Sequence, residues 1–389
     1  MVGPNRKKRV CVVITARASY ARIKTALTAI DKHDQLELLL IVAASAVLDR
    51  YGSAIEVIEK DGFKINARVF NVIEGGNLLG QAKTTGLGII ELSNVISGLA
   101  PDVVVTIADR YETMATAISA AYLNIPLVHI QGGEVSGNID EKVRHAITKL
   151  ADLHLVSTRE AQERVIRMGE VPERVIVTGC PSIDLAKEVA TSGQLDFDPY
   201  QKYGGVGASP EIKNGYLIVM QHPVTTEYQA ARKQIEETLH AVYQSQKTTL
   251  WFWPNVDAGS DGTSNGIRAF REKHSINSMH FFKNMDPLDF LKTLKNCACL
   301  IGNSSVGLRE AAYLGVPSIN IGSRQHRRSR ATNVIDVDYD RMAIKRALKK
   351  QLDHGAYPKS TLYGAGDAGA KIADLIASTE IQSSKFLTY

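Results

Sequence analysis

Asp102-Val103-Val104-Val105-Thr106-Ile107-Ala108-Asp109-Arg110-Tyr111-Glu112 passes from an unbroken β-branched run into a charged turn, and then into the helical pattern of Glu112–Leu123. A strand with no polar alternation is buried on both faces, which happens in a parallel sheet covered by helices on each side. The unit recurs outward in both directions. Upstream lie Val10–Ile14 and Leu36–Val42, with helical patterns at Tyr20–Lys32 and Leu79–Leu99. Downstream follow Pro126–Ile130, Leu153–Ser157 and Val175–Thr178, with a helix over Ile139–Leu150. The alternation lapses across Gly193–Gly215, rich in Gly, Pro, Tyr and Lys, which reads as an inter-domain linker. It resumes with strands Tyr216–Met220, Thr249–Trp253, Met279–Phe282, Ala298–Ile301, Pro317–Ile321 and Val334–Val337, and with helices Glu227–Tyr243, Thr263–Lys273, Pro287–Leu294 and Ser305–Leu314. The expected fold is α/β, with two Rossmann-like domains facing across a cleft: residues 1–192, residues 193–366, and a closing helix and tail over 367–389. In such sheets ligands bind beyond the carboxyl ends of the strands, so functional side chains belong in the turns that follow them.

Bulk properties narrow the function. The 389 residues suit two cores, and 46 Lys plus Arg against 41 Asp plus Glu leave a net charge of +5. No dense basic stripe with interleaved aromatics points to nucleic acid, but the mild excess suits a small anionic ligand. The basic start Met1–Arg9 precedes an apolar run, Val10–Ile14, too short for a signal-peptide core, and no window has the roughly 18–20 apolar residues of a membrane span. Cys11, Cys180, Cys297 and Cys299 have neither disulfide-framework nor zinc spacing, so a reduced, cytoplasmic protein without a metal is expected. Neither half has GxGxxG after its first strand, and no Walker A motif is present, which disfavours dinucleotide redox enzymes and P-loop ATPases.

Four stretches carry chemistry. Gly302-Asn303-Ser304-Ser305-Val306-Gly307-Leu308-Arg309-Glu310 follows an apolar strand and opens a helix. Unpaired N–H groups there, the hydroxyls of Ser304 and Ser305, and close approach at Gly302 suit a pyrophosphate, and Glu310 suits a ribose diol; the bland alternative is a serine N-cap. Asp109 and Arg110, at a strand end, suit a base beside an anion binder, or else an N-cap with a surface arginine. His129-Ile130-Gln131-Gly132-Gly133-Glu134 leads into Ile139-Asp140-Glu141-Lys142-Val143-Arg144-His145, where Asp140 and Arg144 share a helix face at i, i+4. Asp109, Glu134 and Asp140 thus lie on consecutive strand-end loops, and clustered carboxylates can supply both an acid and a base. His222 follows the first strand of the second half, Asn255 and Asp257 occupy the next equivalent turn, and Arg324 leads a basic loop toward Arg330.

Taken in order, Thr15–Tyr20, Asp109-Arg110, His129–Glu134 with Ile139–Leu150, Gly179-Cys180-Pro181-Ser182, Gln221–Thr226, Asn255–Ser260, Gly302–Glu310 and Leu362–Gly366 resemble the hydrolysing UDP-N-acetylglucosamine 2-epimerases over about Val10–Lys371. The resemblance implies a GT-B-like fold whose last helix crosses back onto the first domain. It implies anti elimination of UDP across C1–C2 to a 2-acetamidoglycal, followed by hydration to free ManNAc, with no metal or redox cofactor. It also implies a homodimer or homotetramer. Residue by residue, Asp109 and Asp140 match catalytic carboxylates, and His222 matches a cleft histidine near the phosphates. Arg17, Asn255, Ser304, Ser305, Glu310 and Arg324 match UDP-binding positions, and Asn284 is expected at the uracil. The family's turn reads HxEGGE, and its first Glu is a third catalytic carboxylate; here that position is Gln131, which shifts weight to Glu134 or marks a different sugar. The same chemistry on a UDP-2,4-diacetamido-trideoxy sugar, as in legionaminic acid synthesis, fits equally. A GT-B glycosyltransferase or a non-catalytic UDP-sugar sensor are the readings from other classes.

Overall fold

The computed structural model describes residues 6–48, 54–73, 78–136, 139–191, 193–254 and 259–388. Two compact units divide the chain, the first built on Met1–Glu134, Ile139–Asp184 and Tyr363–Tyr389, the second on Val135–Asn138 and Leu185–Leu362. The division falls ahead of the expected 192/193 and 366/367.

The first unit holds strands β1 (Lys8–Ile14), β2 (Leu36–Ala43), β3 (Ile65–Val69), β4 (Val103–Ile107), β5 (Leu127–Ile130), β6 (Leu153–Val156) and β7 (Val175–Val177). They form one parallel sheet in the order β3-β2-β1-β4-β5-β6-β7. Helices α1 (Arg17–Lys32), α2 (Ala54–Lys60), α3 (Leu78–Leu99), α4 (Thr113–Tyr122), α5 (Ile139–Leu150) and α6 (Arg159–Arg167) alternate with the strands, and α7 (Ser182–Ala190) runs through the division. The strand residues split by parity between two cores. Val10, Val12, Ile14, Val103, Val105 and Ile107 join one, while Cys11, Val13 and Val104 join the other. Continuous apolar runs are therefore what the sheet requires, each fully buried Val or Ile contributing about 1.5–3 kcal/mol. Helix α1 meets its core through Tyr20, Ile23, Leu27 and Ile30, at helical spacing. Strand β3 escaped the sequence reading because Ile65-Asn66-Ala67-Arg68-Val69 is a half-exposed edge.

In the second unit, α8 (Pro199–Tyr203) and β8 (Val206–Gly207) lie inside the stretch 193–215 read as an inter-domain linker. Strand β8 pairs antiparallel with β11 (Met279–Phe282), which a two-residue run gives no pattern to reveal. The sheet, with β9 (Leu217–Met220), β10 (Thr249–Phe252), β12 (Cys299–Gly302), β13 (Ser318–Ile321) and β14 (Val334–Val337), has the order β14-β13-β12-β9-β10-β11-β8. Helices α9 (Ala231–Gln244), α10 (Ser260–Lys273), α11 (Pro287–Lys295), α12 (Glu310–Leu314) and α13 (Arg341–His354) accompany it. The expected helix over 305–314 is corrected: a 3-10 turn at Ser305–Gly307 is separated from α12 by Leu308 and Arg309, the latter non-helical at φ −107° and ψ −82°.

The closing helix α14 (Ala368–Ser378) packs on α1 of the first unit. Asp184 fastens its start, accepting the N–H groups of Ala368 (2.9 Å) and Gly369 (2.7 Å) and the Thr25 hydroxyl (2.8 Å). Gly369 is needed there, since a Cβ would lie 2.6 Å from the Thr25 carbonyl carbon. All four cysteines are free and buried, and among the described residues no helix is long and apolar enough to cross a membrane.

Candidate functional site

Both sheets reverse their winding at one place, between β1 and β4 in the first unit and between β9 and β12 in the second. That switch point is where an open α/β sheet leaves a crevice for ligand. Arg17, Asp109, Arg110, Gln131, Glu134, His222, Gly302, Ser304 and Ser305 lie at or just after the carboxyl ends of these strands and of β5. Asp140 and Arg144 are on α5, Glu310 is on α12, Asn284 follows β11 and Arg324 follows β13.

In the first unit the chain leaves β4 through Ala108 and β5 through Gln131, both non-glycine residues with left-handed backbone, at φ +64° and +65°. Such conformations cost about 1–3 kcal/mol and persist where surrounding contacts impose them. At Ala108 the restraint is His129, whose Nε2 meets the Ala108 carbonyl at 2.9 Å while its Nδ1 meets the Thr148 hydroxyl at 3.2 Å. Complete burial pushes this imidazole down to about 3, against the smaller upward pull of the Ala108 carbonyl. It is therefore neutral at pH 7, with Nε2–H as the donor.

The next residue, Asp109, is 8% exposed and forms an ion pair with Arg144 of α5, itself 1% exposed. Arg144 also donates to the Glu134 carbonyl at 2.7 Å. Asp109, Glu134 and Arg144 are thus brought together, and Asp140 stands in the first turn of the same helix. Asp140 and Arg144 share a helix face at i, i+4, and the sheet order adds the β4 turn, whose Asp109 reaches Arg144 from a distant part of the chain. Arg110 is less available as an anion binder than expected: Glu112, 2% exposed, accepts from its Nε (3.1 Å) and Nη2 (3.0 Å). Gln131 is 1% exposed and donates from Nε2 to the Cys180 sulfur at 2.9 Å, which in turn contacts the Ser182 hydroxyl at 2.9 Å. Arg17 is half-buried at the start of α1, after β1.

In the second unit Asn303, not singled out from the sequence, is the organising residue. It is fully buried, accepts the His222 N–H at 2.7 Å and donates to the His222 carbonyl at 2.8 Å, tying the β9 and β12 turns across the switch point. Arg324 (3.3 Å) and Gln325 (2.9 Å) donate to the Asn303 carbonyl. Gly302 has φ +135°, and a Cβ there would lie 2.1 Å from the Met220 oxygen. Ser304 accepts weakly from the Val306 N–H at 3.4 Å, while Ser305 and Glu310 are buried beside it. Asn284 is exposed and its side-chain oxygen accepts from the Met285 N–H at 2.9 Å. Asn255 and Asp257 lie outside the described residues. No group of three or more His, Cys, Asp or Glu able to hold a metal occurs among the described residues.

The buried histidines make stability sensitive to acid. In the unfolded chain His129 titrates near 6.5, and in the native protein near 3, so below pH 6.5 the unfolded state binds a proton that the native state refuses. Each such group removes about 1.4 kcal/mol per pH unit on the way down, and His154 and His145, also lowered by burial, act in the same direction. Urea melts are expected to show stability falling from pH 6.5 to 5. In the His129→Gln variant that slope should lessen by about one proton; an unchanged slope would mean His129 titrates normally.

The pattern of the family described as UDP-N-acetylglucosamine 2-epimerase matches residues 28–377. A UDP-N,N'-diacetylbacillosamine 2-epimerase (hydrolyzing) of Legionella pneumophila is 31% identical over 376 residues, covering 97% of each chain. A UDP-N-acetylglucosamine 2-epimerase of Neisseria meningitidis serogroup B is 30% identical over 363 residues, covering 92% of each. The crystal structure of the Methanocaldococcus jannaschii UDP-GlcNAc 2-epimerase, solved with UDP-GlcNAc and UDP, has the same GT-B-like fold, with a TM-score of 0.80 at 17% identity, over 95% of this chain and 100% of that one. Sequence pattern, full-length relatives and fold agree that this chain belongs to the UDP-N-acetylglucosamine 2-epimerase family.

Proposed function

We propose that the chain is a hydrolysing UDP-N-acetylglucosamine 2-epimerase. The observation that carries this reading is the buried Asp109–Arg144 pair, with Glu134 in the turn after β5 and Asp140 in the first turn of α5. Inversion at a carbon next to a leaving group asks for carboxylates able to take a proton from one face and return it to the other. One of Asp109 and Asp140 removes the C2 proton. The C2–H electrons become the C1–C2 double bond as the C1–O bond breaks, and UDP departs with that electron pair. Water then adds its oxygen to C1 while a proton returns to C2 on the opposite face, giving free ManNAc. Glu134 assists as the remaining carboxylate where Gln131 cannot act as a base. UDP is assigned to the second unit, its phosphates at Gly302, Ser304 and Ser305, its ribose at Glu310 and its uracil at Asn284, with Arg324 adding charge. His222, held by Asn303, stabilises the departing diphosphate.

The Legionella relative's name gives a second substrate, a UDP-2,4-diacetamido sugar, equal weight. Proton NMR in deuterated water, with UDP-GlcNAc and with UDP-diacetylbacillosamine, decides between them. UDP release with a free manno-configured sugar deuterated at C2 identifies the substrate. A UDP-sugar that is epimerised but stays intact points to the non-hydrolysing reaction. Binding without turnover of either compound favours a transferase or a sensor.

A further inference from the structure

Helix α5 presents Asp140 and Arg144 at its amino end, and its carboxyl end is gripped by the segment that follows α14. Lys385 Nζ donates to the carbonyls of Ala151 (2.6 Å) and Thr148 (3.0 Å), groups that a helix's last turn leaves without intrahelical partners. An ammonium at that end also complements the helix dipole. The same ammonium meets Glu170 at 2.6 Å. Glu170 is 3% exposed and is reached too by Lys149 (2.6 Å) and His154 (3.0 Å). Burial alone would raise this carboxyl, but the hydrogen bonds from His154, Lys149 and Lys385 outweigh it and hold it at about 2. Arg174 secures the approach by donating to the carbonyls of Gln382 and Ser384, each at 3.4 Å.

Thr148 joins this grip to the candidate chemistry. Its carbonyl accepts from Lys385, while its hydroxyl bonds the Arg144 carbonyl at 3.0 Å and faces His129, which restrains the left-handed turn before Asp109. One connected set therefore fixes α5 along its axis, about 18 Å at 1.5 Å per residue, and fixes the Asp109 turn beside it.

We propose that the segment from Thr379 to Lys385 is a strap that sets the position of α5, with Lys385 as a positioning residue for the reaction. It rests on the reading of Asp109 and Asp140 as the reacting carboxylates. Displacement of such groups by about 1 Å costs on the order of a hundredfold in rate. The strap is separable from folding, because without Lys385 the buried Glu170 still keeps Lys149 and His154.

The test uses full-length Lys385→Met and Lys385→Arg, with Phe386→Ala, a 78% exposed neighbour, as control. Lys385→Met is expected to lower kcat about ten- to a hundredfold, with KM and UDP affinity within about twofold of the starting protein. Lys385→Arg, which keeps a cationic donor, should recover most of the rate, and Phe386→Ala should match the starting protein. Hydrogen exchange should quicken in residues 139–151 of Lys385→Met and stay unchanged in α3. Unchanged kcat in Lys385→Met overturns the strap. So does a parallel fall in kcat, UDP affinity and exchange protection throughout the first unit, which marks a general stability element. If the unaltered protein turns over neither UDP-sugar, the proposed function fails, and exchange alone then judges the strap: faster exchange confined to 139–151 upholds it, and none rejects it.

Discussion

Asp109→Asn is expected to lower kcat about a thousandfold and at the same time to destabilise the protein by about 3–5 kcal/mol. The first effect is the loss of a carboxylate assigned to proton transfer, a role worth roughly 10²–10⁴ in rate. The second follows from burial. Arg144 is 1% exposed, and removing its carboxylate leaves a guanidinium inside the protein without that countercharge. The two effects separate in Asp109→Asn/Arg144→Met, where the buried charges leave together. The double variant should regain most of the lost stability in urea melts, to within about 1–2 kcal/mol, and none of the activity in a UDP-release assay. Retention of more than a tenth of kcat in either variant would remove Asp109 from the mechanism. An equal stability loss in single and double variants would show that the pair's geometry, not its charge balance, holds the loop.

Gly302→Ala is expected to be the most damaging single methyl in the second unit. At φ +135° the backbone is one that L side chains rarely adopt, and the added Cβ would meet the Met220 carbonyl at its oxygen (2.1 Å) and carbon (2.5 Å). That carbonyl accepts the Asn303 N–H at 3.0 Å, so relieving the clash pulls apart the β9–β12 pairing and releases the Asn303 clamp on His222. A stability loss of about 2–4 kcal/mol and at least about a hundredfold weaker UDP binding by calorimetry are the expected results. Gly355→Ala is the control. Its φ is also positive, at +73°, but the added atom meets nothing within 4 Å, so it should cost about 1 kcal/mol and leave UDP affinity unchanged. UDP affinity within threefold of the starting protein in Gly302→Ala would move the diphosphate away from this turn.

The strands were legible wherever both faces are buried, because two-sided burial writes itself as an uninterrupted apolar run, as in Val10–Ile14 and Asp102–Ile107. It was illegible in β3, whose edge position leaves polar residues on show, and in β8, which is too short to carry a pattern. The helix expected over 305–314 failed at Arg309, since local propensity cannot report a backbone angle imposed by the surrounding packing. Asn303 was part of a quoted motif, but nothing local distinguishes an asparagine that clamps another loop's backbone from one that faces water.

By itself, then, the sequence determined the alternating α/β architecture, the strand-end location of Asp109, Gln131, His222 and Gly302, and the place of Asp140 at the start of α5. These follow from local periodicity and from the topology that periodicity imposes. Partner choice belonged to the tertiary structure. The helical period places Asp140 on Arg144's face, but the pairing of buried Arg144 with Asp109 comes from the neighbouring β4 turn, which no local spacing records. The same holds for Gln131 with Cys180 and Lys385 with the carboxyl end of α5. A pattern of spacings records only neighbours along the chain. Which distant groups must satisfy one another is settled when sheet order brings them together and water is excluded between them.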